Sequence, residues 1–141
     1  MLKNFFKKQK KTSSNEKNIL IIALLIHAAK IDENYTETEK EIIKRAIIYL
    51  NQVNSNEAEK LLKIAEKREG EANQIIEFTR EIKKYPIEFR LKIIEVIWKI
   101  VYSDGTSDDY ESNLIRRICG LLYISDKDNG IIKAKVQNLL R

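Results

Sequence analysis

Apolar residues along most of the chain stand three and four positions apart, which is the spacing of one face of an α-helix. Capping residues and turn residues divide this pattern into separate segments. It predicts about seven helices, over residues 16–31, 36–53, 55–70, 71–84, 87–103, 108–122 and 125–141. We therefore expect an all-α fold in which two pseudo-symmetric helical hairpins pack into one compact bundle.

The first predicted helix contains eight consecutive apolar residues, from Ile19 to Ile26. This run is too short to cross a bilayer, which takes about 20 residues. A basic stretch precedes it, as in a secretory signal peptide with a cleavage site at residues 27–29. We reject that alternative because Glu16 interrupts the basic stretch and because the same segment recurs later in the chain. The run therefore predicts a buried central helix.

Most helix starts carry a residue that can cap the first turn. Thr36 followed by Glu39 has the spacing of a capping box, in which each residue accepts a hydrogen bond from the backbone of the other. Ser55, Asp108 and Ser125 are predicted to cap the third, sixth and seventh helices. The helices after the first are thus bounded by local chemistry as well as by periodicity.

The two halves of the sequence are related by one constant offset. This offset aligns Asp32 with Asp104 and Glu39 with Glu111, so both halves have an aspartate followed by a glutamate seven positions later. Each half is an apolar helix, an acidic turn and a capped amphipathic helix. Two such hairpins can pack face to face with pseudo-twofold symmetry.

Charge is concentrated at the N-terminus. Residues 1–17 hold six lysines and one glutamate, while the remainder holds 20 basic and 20 acidic residues. A neutral body argues against a nucleic-acid partner. Residues 1–15 are predicted to form a basic flexible tail ahead of a single domain over residues 16–141. Phe5-Phe6 lies beside lysines, so the tail is a candidate for binding an anionic membrane surface. The alternatives are a disordered tail that increases solubility, or a short helix that packs on the body.

Residues for nucleophilic catalysis are scarce. His27 is the single histidine and Cys119 the single cysteine, and both lie among apolar residues. We expect a hydrogen-bonded buried imidazole and an inert buried thiol. The sequence offers no nucleophile–base pair, no zinc-binding pattern and no glycine-rich phosphate loop. It therefore predicts a protein that is not an enzyme.

The acidic turns are the candidate metal site. The predicted ligands are Asp32, Glu39, Asp104, Asp108 and Glu111. Carboxylate oxygens suit calcium, magnesium or manganese, and a divalent cation would relieve the repulsion within each cluster. The alternative is structural, since the glutamates have capping-box spacing and aspartates are favourable at helix ends. The EF-hand pattern fails at both turns, because position twelve is isoleucine in each.

Each acidic turn lies within a longer motif. The second-half motif is Tyr102-Ser103-Asp104-Gly105, followed by Asp109-Tyr110-Glu111 and Ile115-Arg116-Arg117-Ile118. The first-half motif runs from Ala28-Ala29-Lys30-Ile31-Asp32 through Glu39. Both resemble motifs of the TerB-like (tellurite-resistance B) family. The first half departs from the pattern, with Glu33 where the second half has Gly105. The resemblance implies an all-helical domain whose acidic clusters bind metal cations, and a link to bacterial stress and tellurite resistance.

Together these features predict a non-catalytic adaptor module that engages a protein partner, with a divalent cation fixing the two hairpins. One alternative is a peripheral membrane adaptor that docks through its basic tail; another is a metal-dependent hydrolase that uses the carboxylates. We expect a cytoplasmic protein, in the membrane alternative at the inner membrane face. The partner, the metal and the oligomeric state are left open by the sequence.

Overall fold

A computed structural model describes the backbone of residues 2–32, 35–104 and 109–139, and the side chains of 16–31, 35–103 and 111–139. Throughout these ranges the regular structure is helical. The seven α-helices are α1 Leu2–Ala29, α2 Glu37–Asn51, α3 Ser55–Glu71, α4 Ile76–Ile82, α5 Ile87–Val101, α6 Asp109–Leu121 and α7 Asp126–Leu139. Single 3-10 turns, Lys30–Asp32 and Tyr102–Asp104, follow α1 and α5. The predicted all-α bundle of about seven helices is confirmed.

The C-terminal part of α1 is the centre of the core. Every residue from Ile19 to Ile26 is buried, and α1 packs against α2, α3, α4, α5 and α6. Complete burial of one large aliphatic side chain contributes roughly 1.5–3 kcal/mol. This segment therefore supplies a large part of the apolar stabilisation, and the prediction of a buried central helix is confirmed.

The backbone repeats with the offset seen in the sequence. The helices α1 and α5 end at Ala29 and Val101, α2 and α6 begin at Glu37 and Asp109, and this offset separates the members of each pair. The two 3-10 turns are also related by it. The contacts between helices repeat in the same way. Exchanging the two halves turns the contact of α1 with α6 into that of α5 with α2, and both contacts are present. It leaves the contact between α1 and α5 unchanged. A pseudo-twofold arrangement requires this pattern.

Several helix boundaries differ from the predicted ones. The first helix begins at Leu2 and not at Glu16. Residues 2–15 contain no glycine and no proline, the two residues that most disfavour a helix. The backbone of residues 2–15 is thus helical, while their separation from the domain as a flexible tail stays a prediction. The fourth helix, predicted over 71–84, is shorter: α3 continues to Glu71, Ala72 has an extended backbone that interrupts the helical path, and α4 spans only Ile76–Ile82.

Local capping explains where several helices begin. Glu39 and Thr36 form the predicted capping box, and the Asp128 N–H donates to Ser125 Oγ at 3.1 Å ahead of α7. The third helix is capped by Asn54 and not by the predicted Ser55, because the Asn54 side chain accepts from the Glu57 N–H at 2.8 Å. The predicted cap Asp108 lies outside the described residues. No helix in the described part of the chain is long and apolar enough to cross a membrane.

Candidate site at the two acidic turns

The acidic turns occupy corresponding places in the two halves. In the first half the chain leaves α1 through the Lys30–Asp32 turn and then enters α2. In the second half it leaves α5 through the Tyr102–Asp104 turn and then enters α6. The sequence repeat therefore places each turn at the end of a core helix and ahead of an amphipathic one.

Glu39 and Glu111 are buried at equivalent positions. They lie in the first turns of α2 and α6, and only 6% and 8% of their surface is exposed. Glutamate is rarely buried unless it has a partner, and both residues have interaction partners in the structure. Two buried carboxylates related by the repeat distinguish these turns from ordinary solvated loops.

The Glu39 carboxylate is held by the capping box. Its Oε1 accepts from the Thr36 backbone N–H at 2.8 Å and from Thr36 Oγ1 at 3.0 Å. In return Thr36 Oγ1 accepts from the Glu39 N–H at 3.1 Å. The structural role predicted for Glu39 is therefore confirmed, and it uses one of the two carboxylate oxygens in these bonds.

A polar cluster that the sequence did not predict lies beside the first turn. Lys30 Nζ donates to Glu69 Oε2 at 2.7 Å, and His27 Nδ1 lies 3.3 Å from Glu69 Oε1. His27 is partly exposed, so the prediction of a buried imidazole is wrong, although the predicted hydrogen bond is present. The ring lies at the edge of the core, where Glu69 can reach it from α3.

Tyr35 adds an unusual phenol to this cluster. Its hydroxyl is buried and has no hydrogen-bond partner within the described part of the chain. Burial, followed by the negative charges of Glu66 and Glu39, raises its pKa well above the ordinary value. The ammonium groups of Lys30 and Lys40 lie 5.8 and 4.9 Å from its ring centroid, within cation–π range. Tyr35 therefore remains a neutral phenol that packs between charged side chains.

The predicted metal ligands are only partly described. The backbones of Asp32 and Asp104 end the two 3-10 turns, while their side chains and the whole of Asp108 lie outside the described residues. Among the side chains that the structure does describe, no group of three or more histidine, cysteine, aspartate or glutamate residues is placed to hold a metal ion. The metal site and its ligand set stay predictions.

Cys119 lies near the C-terminal end of α6, whereas the second acidic turn precedes the start of that helix. Its side chain is buried in the core, and burial together with the charge of Asp126 raises its pKa to about 12. A neutral thiol is a poor nucleophile because the thiolate is the reactive form. The prediction that this cysteine is buried is confirmed.

A groove of about 570 Å³ lies between α2, α5 and the end of α7, and we call it the α2–α5 groove. Two of its lining residues, Tyr49 and Leu139, are 72% and 63% exposed. The groove is lined by Thr38, Ile42, Arg45, Ala46, Tyr49, Leu50, Lys92, Glu95, Val96, Lys99, Ser103, Val136 and Leu139. The sequence analysis missed it because its walls come from three separate helices.

Comparison with known proteins identifies the family. The family model described as tellurite resistance protein TerB matches residues 18–134, a range that includes part or all of every α-helix above. No match was found among curated proteins or among solved structures. The family match covers most of the sequence and both acidic turns. The chain therefore belongs to the TerB family.

Proposed function

We propose that this TerB domain is a non-catalytic adaptor module that engages a protein partner. The observation that carries the proposal is the α2–α5 groove, an open concave surface with exposed Tyr49 and Leu139 among its lining residues. A groove between helices that is lined by apolar side chains can accept the apolar face of a partner segment. The chemistry of the chain agrees with binding, since its one histidine contacts Glu69 and its one cysteine is buried.

Site-specific crosslinking in the native host tests this proposal. A photo-crosslinking amino acid replaces Tyr49 in one variant and Lys63, an exposed residue on α3, in the control. We expect one discrete heavier product from position 49 that position 63 does not give. The captured protein is then purified and titrated against the unmodified domain. Absence of a product other than the chain itself, or failure of the purified pair to bind, would contradict the proposal.

The acidic turns are proposed to hold a divalent cation through Asp32, Glu39, Asp104, Asp108 and Glu111. The burial of Glu39 and Glu111 at equivalent positions supports this assignment. A buried carboxylate repels any other carboxylate close to it, and a divalent cation bound between them would offset that repulsion. Oxygen donors suit calcium, magnesium or manganese. When bound, such an ion would neutralise the carboxylates and stabilise the packing of the two helices that each acidic turn connects.

Calorimetric titration of chelator-treated protein with each cation tests the site. The Asp32→Ala/Asp104→Ala variant removes two proposed ligands. The matched control, Glu57→Ala/Asp126→Ala, removes two carboxylates from the first turns of α3 and α7 instead. We expect micromolar binding that is lost in the first variant and kept in the control. The absence of heat and of any shift in melting temperature for the wild type would show that the acidic residues serve the helix ends alone.

A role in tellurite resistance is proposed from the description of the family, and the link to stress resistance stays a prediction from the sequence resemblance. A host strain that lacks this chain should be sensitive to tellurite, and the wild-type sequence should restore growth. If the acidic turns act in resistance, Asp32→Ala/Asp104→Ala should not restore growth, whereas Glu57→Ala/Asp126→Ala should. Equal growth of all strains on tellurite would contradict this role while leaving partner binding intact.

A further inference from the structure

The short helix α4 fills the space beside two helices that come from different halves of the chain. It packs against α1 and α6. Ile75, just before the helix, and Phe78 and Ile82 within it are buried in the core, with the spacing i, i+3 and i+7. Glu77, by contrast, is exposed. This region is an amphipathic helix seated on the bundle by one apolar face.

The α2–α5 groove is the counterpart of this seat. Exchanging the halves carries α1 and α6 onto α5 and α2, which are the main walls of the groove. The equivalence extends to single residues. Phe78 of α4 contacts His27, with ring centroids 6.4 Å apart, and the offset of the repeat carries His27 onto Lys99, which lines the groove. Among the described helices, none occupies the groove as α4 occupies its seat.

The charge of the groove differs from that of the α4 seat. Leu20, Ala23 and His27 on α1 correspond to Lys92, Glu95 and Lys99 on α5. Glu95 is paired with Lys135, with Nζ and Oε1 2.7 Å apart. In the part of the chain that the structure describes, neither Lys92 nor Lys99 has a carboxylate within ion-pair distance. Lys92 and Lys99 both lie on α5, so one wall of the groove carries two exposed cations that have no ion-pair partner among the described residues.

We propose that the α2–α5 groove binds a short amphipathic helix of a partner protein, with acidic residues flanking its apolar face. This inference rests on the proposed adaptor function and specifies the partner segment. The apolar residues that line the groove contact apolar residues of the partner at the α4 spacing, and the partner's carboxylates pair with Lys92 and Lys99. Residues 1–17 of this chain, with a net charge of +5, are repelled by these lysines. A second copy docked groove to groove would set the same lysines against each other.

Synthetic helical peptides test the proposal directly. The probe is a fluorescent peptide of about 15 residues, near the minimum for a stable isolated helix. It carries Ile, Phe and Ile at positions i, i+3 and i+7 and glutamates on the flanks. A second peptide has lysines in place of the glutamates, and a third has serines in place of the apolar residues. We expect micromolar binding of the acidic peptide by fluorescence anisotropy, binding of the basic peptide at least about tenfold weaker, and none of the serine peptide.

Charge reversal in the protein gives the matched comparison. Lys92→Glu/Lys99→Glu should weaken the acidic peptide about tenfold or more and strengthen the basic one. The control Lys63→Glu/Lys67→Glu makes the same charge change on exposed positions of α3 and should alter affinity less than about twofold. Far-ultraviolet circular dichroism and melting confirm that both variants fold. Equal affinity of the acidic peptide for both variants, or no preference between acidic and basic peptides, overturns the proposal.

The protein captured by crosslinking at position 49 separates this inference from the proposed function. If the captured partner binds Lys92→Glu/Lys99→Glu as tightly as wild type, the assignment of the groove is wrong and the adaptor function stands. If wild type captures no partner, the adaptor function fails, whatever the peptides do. Weakened binding of both the partner and the acidic peptide supports the two proposals together.

Discussion

At the scale of single residues, Glu39 has two proposed roles that one substitution can separate. Glutamine at this position keeps the oxygen that accepts from Thr36 and removes the negative charge. We expect Glu39→Gln to keep the helix cap, so that the free energy of unfolding falls by less than the roughly 1 kcal/mol that loss of such a cap costs. Because a divalent cation needs the charge, its affinity should fall by about tenfold or more. Calorimetric titration and urea denaturation measure the two effects on the same samples.

Thr36→Ala is the complementary control. It removes the hydroxyl that accepts from the Glu39 N–H and leaves the carboxylate in place. Loss of such a cap costs about 1 kcal/mol of stability. Glu39→Gln should therefore lower mainly the cation affinity, and Thr36→Ala should lower mainly the stability. Unchanged cation affinity in Glu39→Gln would remove this residue from the ligand set.

Cys119 makes stability depend on pH at the alkaline end. In the unfolded chain its thiol ionises near the ordinary pKa of about 8.5, whereas burial raises the folded pKa to about 12. Because the folded state keeps the thiol neutral, its contribution is complete below the unfolded pKa and is lost as pH rises towards 12. We expect the stability advantage of wild type over Cys119→Ala to shrink by up to about 1.4 kcal/mol per pH unit above 8.5.

The measurement is urea denaturation of both proteins at several values between pH 8 and 10. Comparing the two variants cancels the titration of lysines and tyrosines that they share. A constant difference between them across this range would show that the thiol ionises equally well in the folded state, and hence that it is not buried as the structure has it.

At the scale of elements, α7 contains a glycine that lowers its stability. Gly130 lies inside this helix, and a Cβ built there has no other atom within 4 Å. Glycine costs about 0.8–1 kcal/mol relative to alanine in a helix interior. Gly130→Ala should therefore stabilise the protein by roughly that amount in urea denaturation. Ala134→Gly, at an exposed position of the same helix, should destabilise it by a similar amount. A neutral or destabilising Gly130→Ala would mean that α7 is not helical at this position.

Helix starts were more predictable than long-range contacts. The capping box at Thr36 and the Ser125 cap depend on residues three positions apart, so the local sequence contains the whole interaction. Asn54 and Ser55 are both good capping residues and adjacent, and local chemistry offers no reason to prefer either. The contact between Lys30 and Glu69 joins residues 39 positions apart, so only the packing of α3 on α1 creates it.

At the scale of the whole molecule, the repeat explains both the fold and the groove. Its constant offset predicted the paired acidic turns, each between an apolar helix and an amphipathic helix, because these features depend on residues that recur. It did not predict the groove, since α4 belongs to the first half and has no described counterpart. Similar backbones thus carry different surfaces: the α1–α6 seat is filled by this chain's own α4, and the α2–α5 groove lies open with lysines on its wall.

The N-terminal charge leads to a prediction for the molecule as a whole. Helix α1 has 28 residues, and its first part carries the lysines that give residues 1–17 a net charge of +5. A helix of this length spans about 42 Å, and among its described side chains Glu16 and Lys17 are exposed whereas Ile19 to Ile26 are buried. If the charged part docks on a membrane, each lysine contributes about 1 kcal/mol at an anionic surface. Binding should then require anionic lipid and should weaken as salt is raised.

Vesicle sedimentation decides between a membrane adaptor and a module that acts through protein contacts alone. Lys7→Gln/Lys8→Gln/Lys10→Gln should reduce binding to anionic vesicles by about a hundredfold, from the loss of about 3 kcal/mol. The control Lys60→Gln/Lys63→Gln/Lys67→Gln removes the same charge from exposed positions on α3 and should bind as wild type does. Equal sedimentation of both variants, or equal binding to neutral vesicles, would reject specific docking of the N-terminal lysines. The groove would then be the one interaction surface left among those proposed for the adaptor.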